Sequence, residues 1–472
     1  MSTTAPAAPP GTSGTDWGIH PVPQEHRTLG PFDLAVLWGD LGIGLLVLVT
    51  GALLVPGLGF AAAMAAIVIG SVLGVALLAL FGAVGAKHGL PTMVLLRPVL
   101  GIKGSWVPTA LNVAQLVGWT AVELWAMSFV ADLVAQEIFD FSARGLWLGA
   151  AAVFCTALAL WGPVRVVRIW MERFGAWVIG IISLLVSIVV ITDPAIGDSL
   201  SSSGTGGFPT FGPALDLVIA MPISWLPLVC DYTRFARSSR AAWFGTFSGY
   251  LLANIWLYTL GALLVLQAGA APSPAGIAAG ILALAGGSLA GILFLVGLLV
   301  GETDEAFADI YSGAVSLQNI WPKVSERVFG IGIALVATGL AWWLTMERYE
   351  SFLFLIGSVF VPLFGIVIAD HFVLRKGRVD LDALYGETPP YARFRASAFG
   401  AWIVGFVVFH WITPSPVDWW TDLIGLLPGA PLSGSLPWLP ASIPAFLVAA
   451  VLTLATSSRS QVLRGPQQTA PA

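Results

Sequence analysis

Apolar residues fill most of the chain in long runs, and short segments between the runs hold most of the charged residues. Each run can form a helix of roughly 20 residues, which spans about 30 Å of hydrocarbon. The pattern predicts an all-α polytopic protein of the lipid bilayer with about twelve transmembrane helices. The predicted helices cover residues 33–54, 60–83, 106–131, 145–161, 174–192, 213–230, 243–266, 277–300, 328–345, 351–370, 397–412 and 438–456.

Basic residues fall almost entirely in alternate connecting segments. Of the 21 Lys and Arg residues, only Arg144 and Arg348 lie in the other set of segments. Since positive residues collect on the cytoplasmic side, the pattern predicts a multi-pass protein of the cell membrane with both termini cytoplasmic. A wrong helix count would break the alternation, so the charges support the count.

Composition excludes several classes of protein. Only 10% of residues are charged, whereas a soluble domain carries about 25%. The chain has no Walker loop, no His/Cys cluster with metal-ligand spacing and no basic aromatic patch, so neither an ATP-driven pump nor nucleic-acid binding is indicated. Residues 1–28 and 458–472 are expected to form disordered cytoplasmic tails. No cofactor is predicted, and oligomeric state stays open.

Two of the apolar runs contain helix-breaking residues. In run one, Gly39, Gly42 and Gly44 surround Asp40. In run six, Pro222 and Pro227 each remove a backbone donor. Runs one and six are five apart, and broken helices at matching positions of two halves are typical of transporters built from inverted repeats.

A polar stripe follows run three. Asn112, Gln115, Trp119 and Glu123 fall within about 80° of arc on a helix. An indole offers a flat surface to a ring, and a carboxylate accepts hydrogen bonds from an amine or a ring N–H. The stripe predicts a binding site for a small nitrogen heterocycle. The alternative is a buried Glu that is paired to a neighbouring helix or protonated.

A second acidic group follows run eight, which is expected to end at residue 300. In the sequence ETDEAFAD, Glu302, Glu305 and Asp309 share one helical face, while Thr303 and Asp304 point elsewhere. Hydroxyl and carboxylate oxygens suit a monovalent cation, and a carboxylate can instead accept a proton. The alternative is a helix end whose acids are solvated.

Three motifs resemble the nucleobase:cation symporter-1, or purine–cytosine permease, family. They are KHGLPTMVLLRPVLGIKGSWVPTALNVAQLVGW, DYTRF at 231–235 and VPLFGIVIADHFVLRKG at 361–377. Three further stretches are most similar to the branch of hydroxymethylpyrimidine permeases, namely LWGDLGIGLLVLVTGALLVPG, LVGWTAVELW and GETDEAFADIYSG. The resemblance covers roughly residues 25–460.

The resemblance implies a LeuT-like fold with broken helices one and six. Two inverted five-helix repeats would span residues 29–192 and 212–377, and two further helices would lie within 396–457. It implies that the base stacks on Trp119 and bonds to Glu123 and Asp309, where the family more often has amides. Gln115 and one of Met221, Pro222 and Trp225 would complete the substrate site, and Trp225 is the residue we favour.

The resemblance also implies a cation site between helices one and eight. Carbonyls near Gly39 and Gly42 would join Val300, Thr303 and Asp304, with Na⁺ a candidate at Thr303 and Asp304. Since a carboxylate replaces a hydroxyl at residue 304, the coupling ion is Na⁺ or H⁺.

The predicted function is import of a pyrimidine by cation symport, with hydroxymethylpyrimidine, a thiamine precursor, as the leading substrate. The alternatives are a permease for cytosine or another nucleobase, an integral membrane enzyme and a passive channel. The chain is not expected to be an enzyme, because no acidic pair of the Asp-x-x-Asp type lies in a cytoplasmic loop.

Overall fold

The structure, a computed structural model, describes residues 17–285, 289–344, 349–386, 391–415 and 417–457. Arg348, Arg459 and Arg464, used above for topology, lie outside these residues, as do the predicted tail 458–472 and residues 1–16 of the other tail.

Twelve helical segments of the described residues form the main bundle, and a further short apolar helix covers Pro274–Leu284. We number them α1 (two halves, α1a Pro31–Asp40 and α1b Leu45–Leu53), α2 (Phe60–His88), α3 (Trp106–Phe139), α4 (Arg144–Trp161), α5 (Pro163–Thr192), α6 (two halves, α6a Phe211–Trp225 and α6b Val229–Thr233), α7 (Ser239–Ala268), α8 (Leu289–Gln318), α9 (Glu326–Trp343), α10 (Tyr349–Leu374), α11 (Ala396–Ile412) and α12 (Ser442–Thr456).

Length and hydropathy identify many of these helices as membrane spans. Within the described residues, six are long and apolar enough to cross a bilayer unaided: α2, α3, α4, α5, α7 and α10. The halves of α1 form a seventh span if they are counted together, with a bend of 62° between them. The predicted breaks in helices one and six are therefore both present.

The helices pack in two groups. In one group, α1 packs against α7, and α6 packs against α2. In the other, α3, α4 and α9 surround α8. At Gly261 of α7 an ideal Cβ would lie 1.9 Å from the carbonyl oxygen of Leu48, so only glycine permits this contact with α1b. Glu302 of α8 accepts from the backbone N–H of Leu45 in α1b, so the acids of α8 lie where the two groups meet.

The structure corrects the predicted end of run eight. The segment 277–300 is not one helix, because a separate short helix covers Pro274–Leu284 and α8 continues to Gln318. Glu302 and Asp309 are therefore in the middle of a helix of 30 residues, and both side chains are buried. The alternative of a solvated helix end is wrong for these two acids. Hydropathy misplaced the end because the acids interrupt the apolar run.

Two connecting segments also differ from expectation. The predicted loop 162–173 is helical, since α5 begins at Pro163 and includes a π-helical stretch, Val166–Gly175. Residues 17–28, assigned to a disordered tail, instead pack on the bundle. Val22 is buried and its N–H donates to the carbonyl of Gly89, while Gly18 accepts from Arg234.

Candidate functional site

The break in α1 brings backbone next to the acids of α8. Leu41 to Gly44 separate the two halves, and the free N–H of Leu45 at the start of α1b donates to Glu302 Oε1 at 2.6 Å. At Gly44 an ideal Cβ would lie 2.2 Å from Glu305 Oε1, so a larger residue would have to displace the Glu305 carboxyl. A helix N-terminus favours negative charge, which explains why carboxyl groups are found there.

The break in α6 also leaves backbone groups without helical partners. Pro222 lies inside α6a and Pro227 lies in the break. Proline removes a backbone donor, so a carbonyl of the preceding turn loses its helical partner. The carbonyl of Val218, four residues before Pro222, accepts from the hydroxyl of Tyr258 at 3.3 Å. At the end of α6a, Ser224 O accepts from Gln115 Nε2 at 2.9 Å, and this bond joins α3 to α6a.

A small cavity lies between α3, α6a and α8. Its free volume is about 10 Å³, which accommodates about one water molecule. A heterocyclic ring is larger, so side chains around the cavity must move apart before such a ring can enter. The lining residues come from three helices: Trp119, Glu123, Met221, Ser224, Trp225, Glu305 and Asp309.

Trp119 lies between this cavity and α10. Its ring centroid is 5.1 Å from that of Phe352 and 6.1 Å from that of Tyr349, both in edge-to-face geometry. The side chain is only 6% exposed, and its Nε1 has no hydrogen-bond partner among the described residues. Buried indole N–H groups usually find a partner, so the geometry leaves a donor free at the cavity.

The three acids of the cavity are buried and lack basic partners. Glu123 and Asp309 are neighbours across the interface of α3 and α8. Glu123 Oε2, Glu305 Oε1 and Asp309 Oδ2 have no hydrogen-bond partner within the described residues. None of the ion pairs formed in that part of the chain involves them. An unpaired ionised carboxylate in the interior is costly, so a proton or a cationic group must compensate the charge.

A second pair of acids lies at the break in α1. Asp40 and Asp304 are side-chain neighbours and both are buried. None of their four oxygens has a hydrogen-bond partner among the described residues. The Asp304 carboxyl also approaches α5, because an ideal Cβ at Gly175 would lie 2.8 Å from its Oδ2.

The predicted substrate residues are found largely together. Trp119, Glu123, Asp309 and Trp225 line the cavity. Gln115 does not, because its amide bonds to the side chain of Asn112 and to Ser224 O. Their role in binding a substrate stays a prediction.

The predicted cation residues are more dispersed. Gly39 and Gly42 pack against α7, and the hydroxyl of half-buried Thr303 donates to the carbonyl of Val300 at 2.6 Å. Asp304 faces Asp40 instead. Within the described residues, no group of three His, Cys, Asp or Glu side chains has the arrangement of a metal site. A Na⁺ site at Thr303 and Asp304 stays a prediction.

Sequence reasoning placed Glu305 on one helical face with Asp309 but did not assign it to the substrate site, and it did not connect Asp40 with Asp304. Glu305 lines the cavity, and Asp40 faces Asp304. The spacing of four residues between Glu305 and Asp309 places them on one face of a helix, which was the available signal for Glu305. No pattern in the sequence pairs Asp40 with Asp304, which are 264 residues apart in the chain.

Comparison with known families gives one match over most of the chain. The family model described as "Permease for cytosine/purines, uracil, thiamine, allantoin" matches residues 21–439. The chain is 27% identical to the allantoin permease of Bacillus subtilis over 82% of this chain and 85% of that protein. It is 28% identical to the cytosine permease of Escherichia coli K12 over 75% of this chain and 81% of that protein.

Solved structures confirm the predicted LeuT-like fold. Mhp1, a nucleobase-cation-symport-1 family transporter in a closed conformation with bromovinylhydantoin bound, superposes with a TM-score of 0.76 at 22% identity, covering 95% of this chain and 99% of that one. MhsT in complex with L-phenylalanine gives a TM-score of 0.59 at 14% identity, covering 90% and 98%. At these identities the similarity shows the fold alone.

Proposed function

Because this chain belongs to the family of permeases for cytosine and purines, uracil, thiamine and allantoin, we propose that it is a secondary transporter that imports a pyrimidine by cation symport. The named relatives are permeases and the superposed structures are transporters, which supports a transporter rather than an enzyme. The similarity to Mhp1, a nucleobase-cation-symport-1 family transporter, fits symport.

One observation carries the proposal: an indole and three carboxyl groups border the same buried cavity at the junction of the two helix groups. The ring of the substrate would lie against Trp119. Glu123 and Asp309 would accept hydrogen bonds from its amine and ring N–H groups, because a carboxylate is an acceptor only. Trp225 would close the other side.

The leading substrate is 4-amino-5-hydroxymethyl-2-methylpyrimidine. Its amine is a donor beside a ring nitrogen, so it suits two acids better than an oxo-rich ring such as uracil does. The second candidate is cytosine, which also carries an exocyclic amine and is supported by the similarity to a cytosine permease. Growth rescue of a thiamine-pathway mutant by the first substrate, against rescue of a cytosine-requiring strain, separates the two.

The coupling ion would bind between the break in α1 and α8. Asp40 and Asp304 are the acids in this region, and either Na⁺ or H⁺ would compensate their charge. By linkage, the ion and the substrate would each raise the affinity for the other by the same factor. Asp304→Ala should abolish accumulation driven by an ion gradient, and sodium-dependent accumulation retained by this variant would refute the site.

We also propose a cell-membrane location with both termini cytoplasmic, from the distribution of Lys and Arg. A cysteine introduced at residue 137 and labelled with a membrane-impermeant reagent from outside the cell checks this orientation. Glu137 is exposed near the end of α3 that faces outward in this topology.

A thermal-shift screen of the purified full-length protein tests substrate and ion together. Pyrimidines are added with and without Na⁺, at two pH values, because a ligand of the folded state stabilises it by mass action. Stabilisation by aminopyrimidines that increases with Na⁺ or with lower pH is expected. Stabilisation by no pyrimidine or purine under any of these conditions would contradict the proposed function.

A further inference from the structure

The cavity between α3, α6a and α8 contains three acids and no base. Glu123, Glu305 and Asp309 line it, and the remaining lining consists of two indoles, Met221 and Ser224. Each acid is at most 3% exposed and keeps one oxygen without a hydrogen-bond partner among the described residues. Carboxyl groups are therefore concentrated at one point of the interior.

The three buried arginines of the described chain are engaged elsewhere, and one of them, Arg375, donates to Asp370 and to the carbonyl of Pro98. Arg97 donates to the side chain and carbonyl of Asn319 and to the carbonyl of Leu384. Arg234 donates to the carbonyl of Gly18 and to the hydroxyl of Tyr311. Compensation of the acids by these side chains would require breaking such bonds, so a bound proton or a cationic ligand must compensate them.

Glu302 shows how a neighbouring acid differs. It lies one turn before Glu305 on α8, but its Oε1 accepts from the backbone N–H of Leu45 and it does not line the cavity. Glu305 makes no such bond with its Oε1, which lies beside Gly44. Glu305 is thus the third acid available to a molecule in the cavity.

Aromatic and polar groups in the cavity restrict the ligand further. The unpartnered Nε1 of Trp119, a side chain only 6% exposed, needs an acceptor. The faces of indole rings attract cations, with Trp the best of the aromatic side chains in this respect. A ligand that satisfies all of these groups is flat, carries positive charge and N–H donors, and has at least one acceptor.

We propose that the cavity takes its substrate as a cation: a nitrogen heterocycle that is protonated or permanently charged, with its positive edge toward Glu123, Glu305 and Asp309. This inference rests on the proposed function and specifies its substrate class. Glu305 is then a specificity-determining residue that favours cationic over neutral rings of the same shape.

Two closely matched probes test the charge. One is neutral 4-amino-2-methylpyrimidine, and the other is 4-amino-1,2-dimethylpyrimidinium, which is permanently charged. Binding of both to the purified full-length protein is measured at a pH where the first is uncharged. The cation should bind about tenfold more tightly than the neutral ring, as expected for charge-assisted hydrogen bonds.

The variant Glu305→Gln keeps the shape of the side chain and removes its charge. It should lower affinity for the cation about tenfold and change affinity for the neutral ring by less than about twofold. Glu137→Gln, the same change at an exposed position of α3, is the control and should alter neither. Gel filtration verifies that both variants are folded.

The outcomes separate this inference from the function on which it rests. Tight binding of the neutral ring with no binding of the cation overturns the inference and leaves the proposed function in place. Binding of neither ring, nor of any other nucleobase, overturns both. A preference for the cation that persists in Glu305→Gln overturns the role of Glu305. If that variant does not fold, the wild-type comparison of the two probes still decides the charge.

Discussion

Asp370 and the acids of the central cavity are equally buried but have opposite surroundings. Asp370, near the end of α10, is bound by Arg375 Nε at 2.6 Å and by Arg395 of the segment before α11. Glu123, in the cavity, has no ion pair within the described residues. A paired acid is compensated by the protein itself, whereas an unpaired acid requires compensation by something that binds. The comparison separates an acid that the protein itself compensates from acids whose proposed role is in transport.

Removal of the charge at Asp370 should have the largest effect on stability. Asp370→Asn leaves two arginines without their buried anion, and breaking such a pair costs about 3–5 kcal/mol. We expect a large fall in the unfolding temperature of the purified protein and a low yield of folded protein. Asp33→Asn is the control, because its pair with Arg168 is at 3.8 Å and partly exposed and is worth about 0–1 kcal/mol. Equal destabilisation by both variants would contradict the comparison.

The same change at Glu123 should affect uptake instead of folding. Glu123→Gln removes a charge that has no protein partner, so the unfolding temperature should stay the same or rise. A hydrogen bond to a charged group is worth about 1.5–3 kcal/mol, so uptake of the aminopyrimidine at low concentration should fall about tenfold or more. Unchanged uptake kinetics would rule out a role of Glu123 in recognition.

Gly44 of α1 lies against the side chain of Glu305 in α8. A methyl group there would lie 2.2 Å from Glu305 Oε1, and such overpacking costs about 1–3 kcal/mol. Gly44→Ala should therefore lower both stability and uptake, as measured by unfolding temperature and initial transport rate. Gly332→Ala in α9, where a Cβ meets no atom within 4 Å, should do neither. Full activity of Gly44→Ala would show that Glu305 is not held against α1b.

Two tryptophans extend the comparison to donors, with the smallest expected effect. Trp402 donates to the carbonyl of Val359 at 2.8 Å, whereas Nε1 of Trp119 has no partner among the described residues. Trp402→Phe should lower stability by about 1 kcal/mol, the typical worth of a hydrogen bond. Trp119→Phe should leave stability nearly unchanged and weaken binding of the aminopyrimidine by a similar free energy, read from equilibrium binding. Loss of stability in Trp119→Phe, with weaker binding in Trp402→Phe, would contradict this difference between the two tryptophans.

Helix count and the breaks could be predicted because they depend on local features. Glycines around Asp40 and the prolines of α6 interrupt the helices wherever the rest of the fold lies. The stripe from Asn112 to Glu123 follows from helix geometry alone. The resemblance to the permease family supplied the grouping of Trp119 with Asp309, which local pattern cannot provide.

What could not be predicted depends on contacts between distant segments. The hydropathy pattern placed the end of run eight at the acids. It contains no information about the packing of α1 and α3 against Glu302 and Asp309, which buries both side chains. The packing of residues 17–28 was missed because its anchors join segments far apart in the chain: Tyr385 Oη donates to the carbonyl of Ile19, and Arg27 donates to the carbonyl of Ala86. Composition shows only that the segment is polar and rich in proline.

The most direct test of the central claim is an experimental structure of the protein with an aminopyrimidine bound, determined in lipid nanodiscs. The account predicts density for the ring against Trp119, with its amine and ring nitrogens facing Glu123 and Asp309. Density for the ring outside the cavity between α3, α6a and α8, with these side chains still in contact with one another, would contradict it.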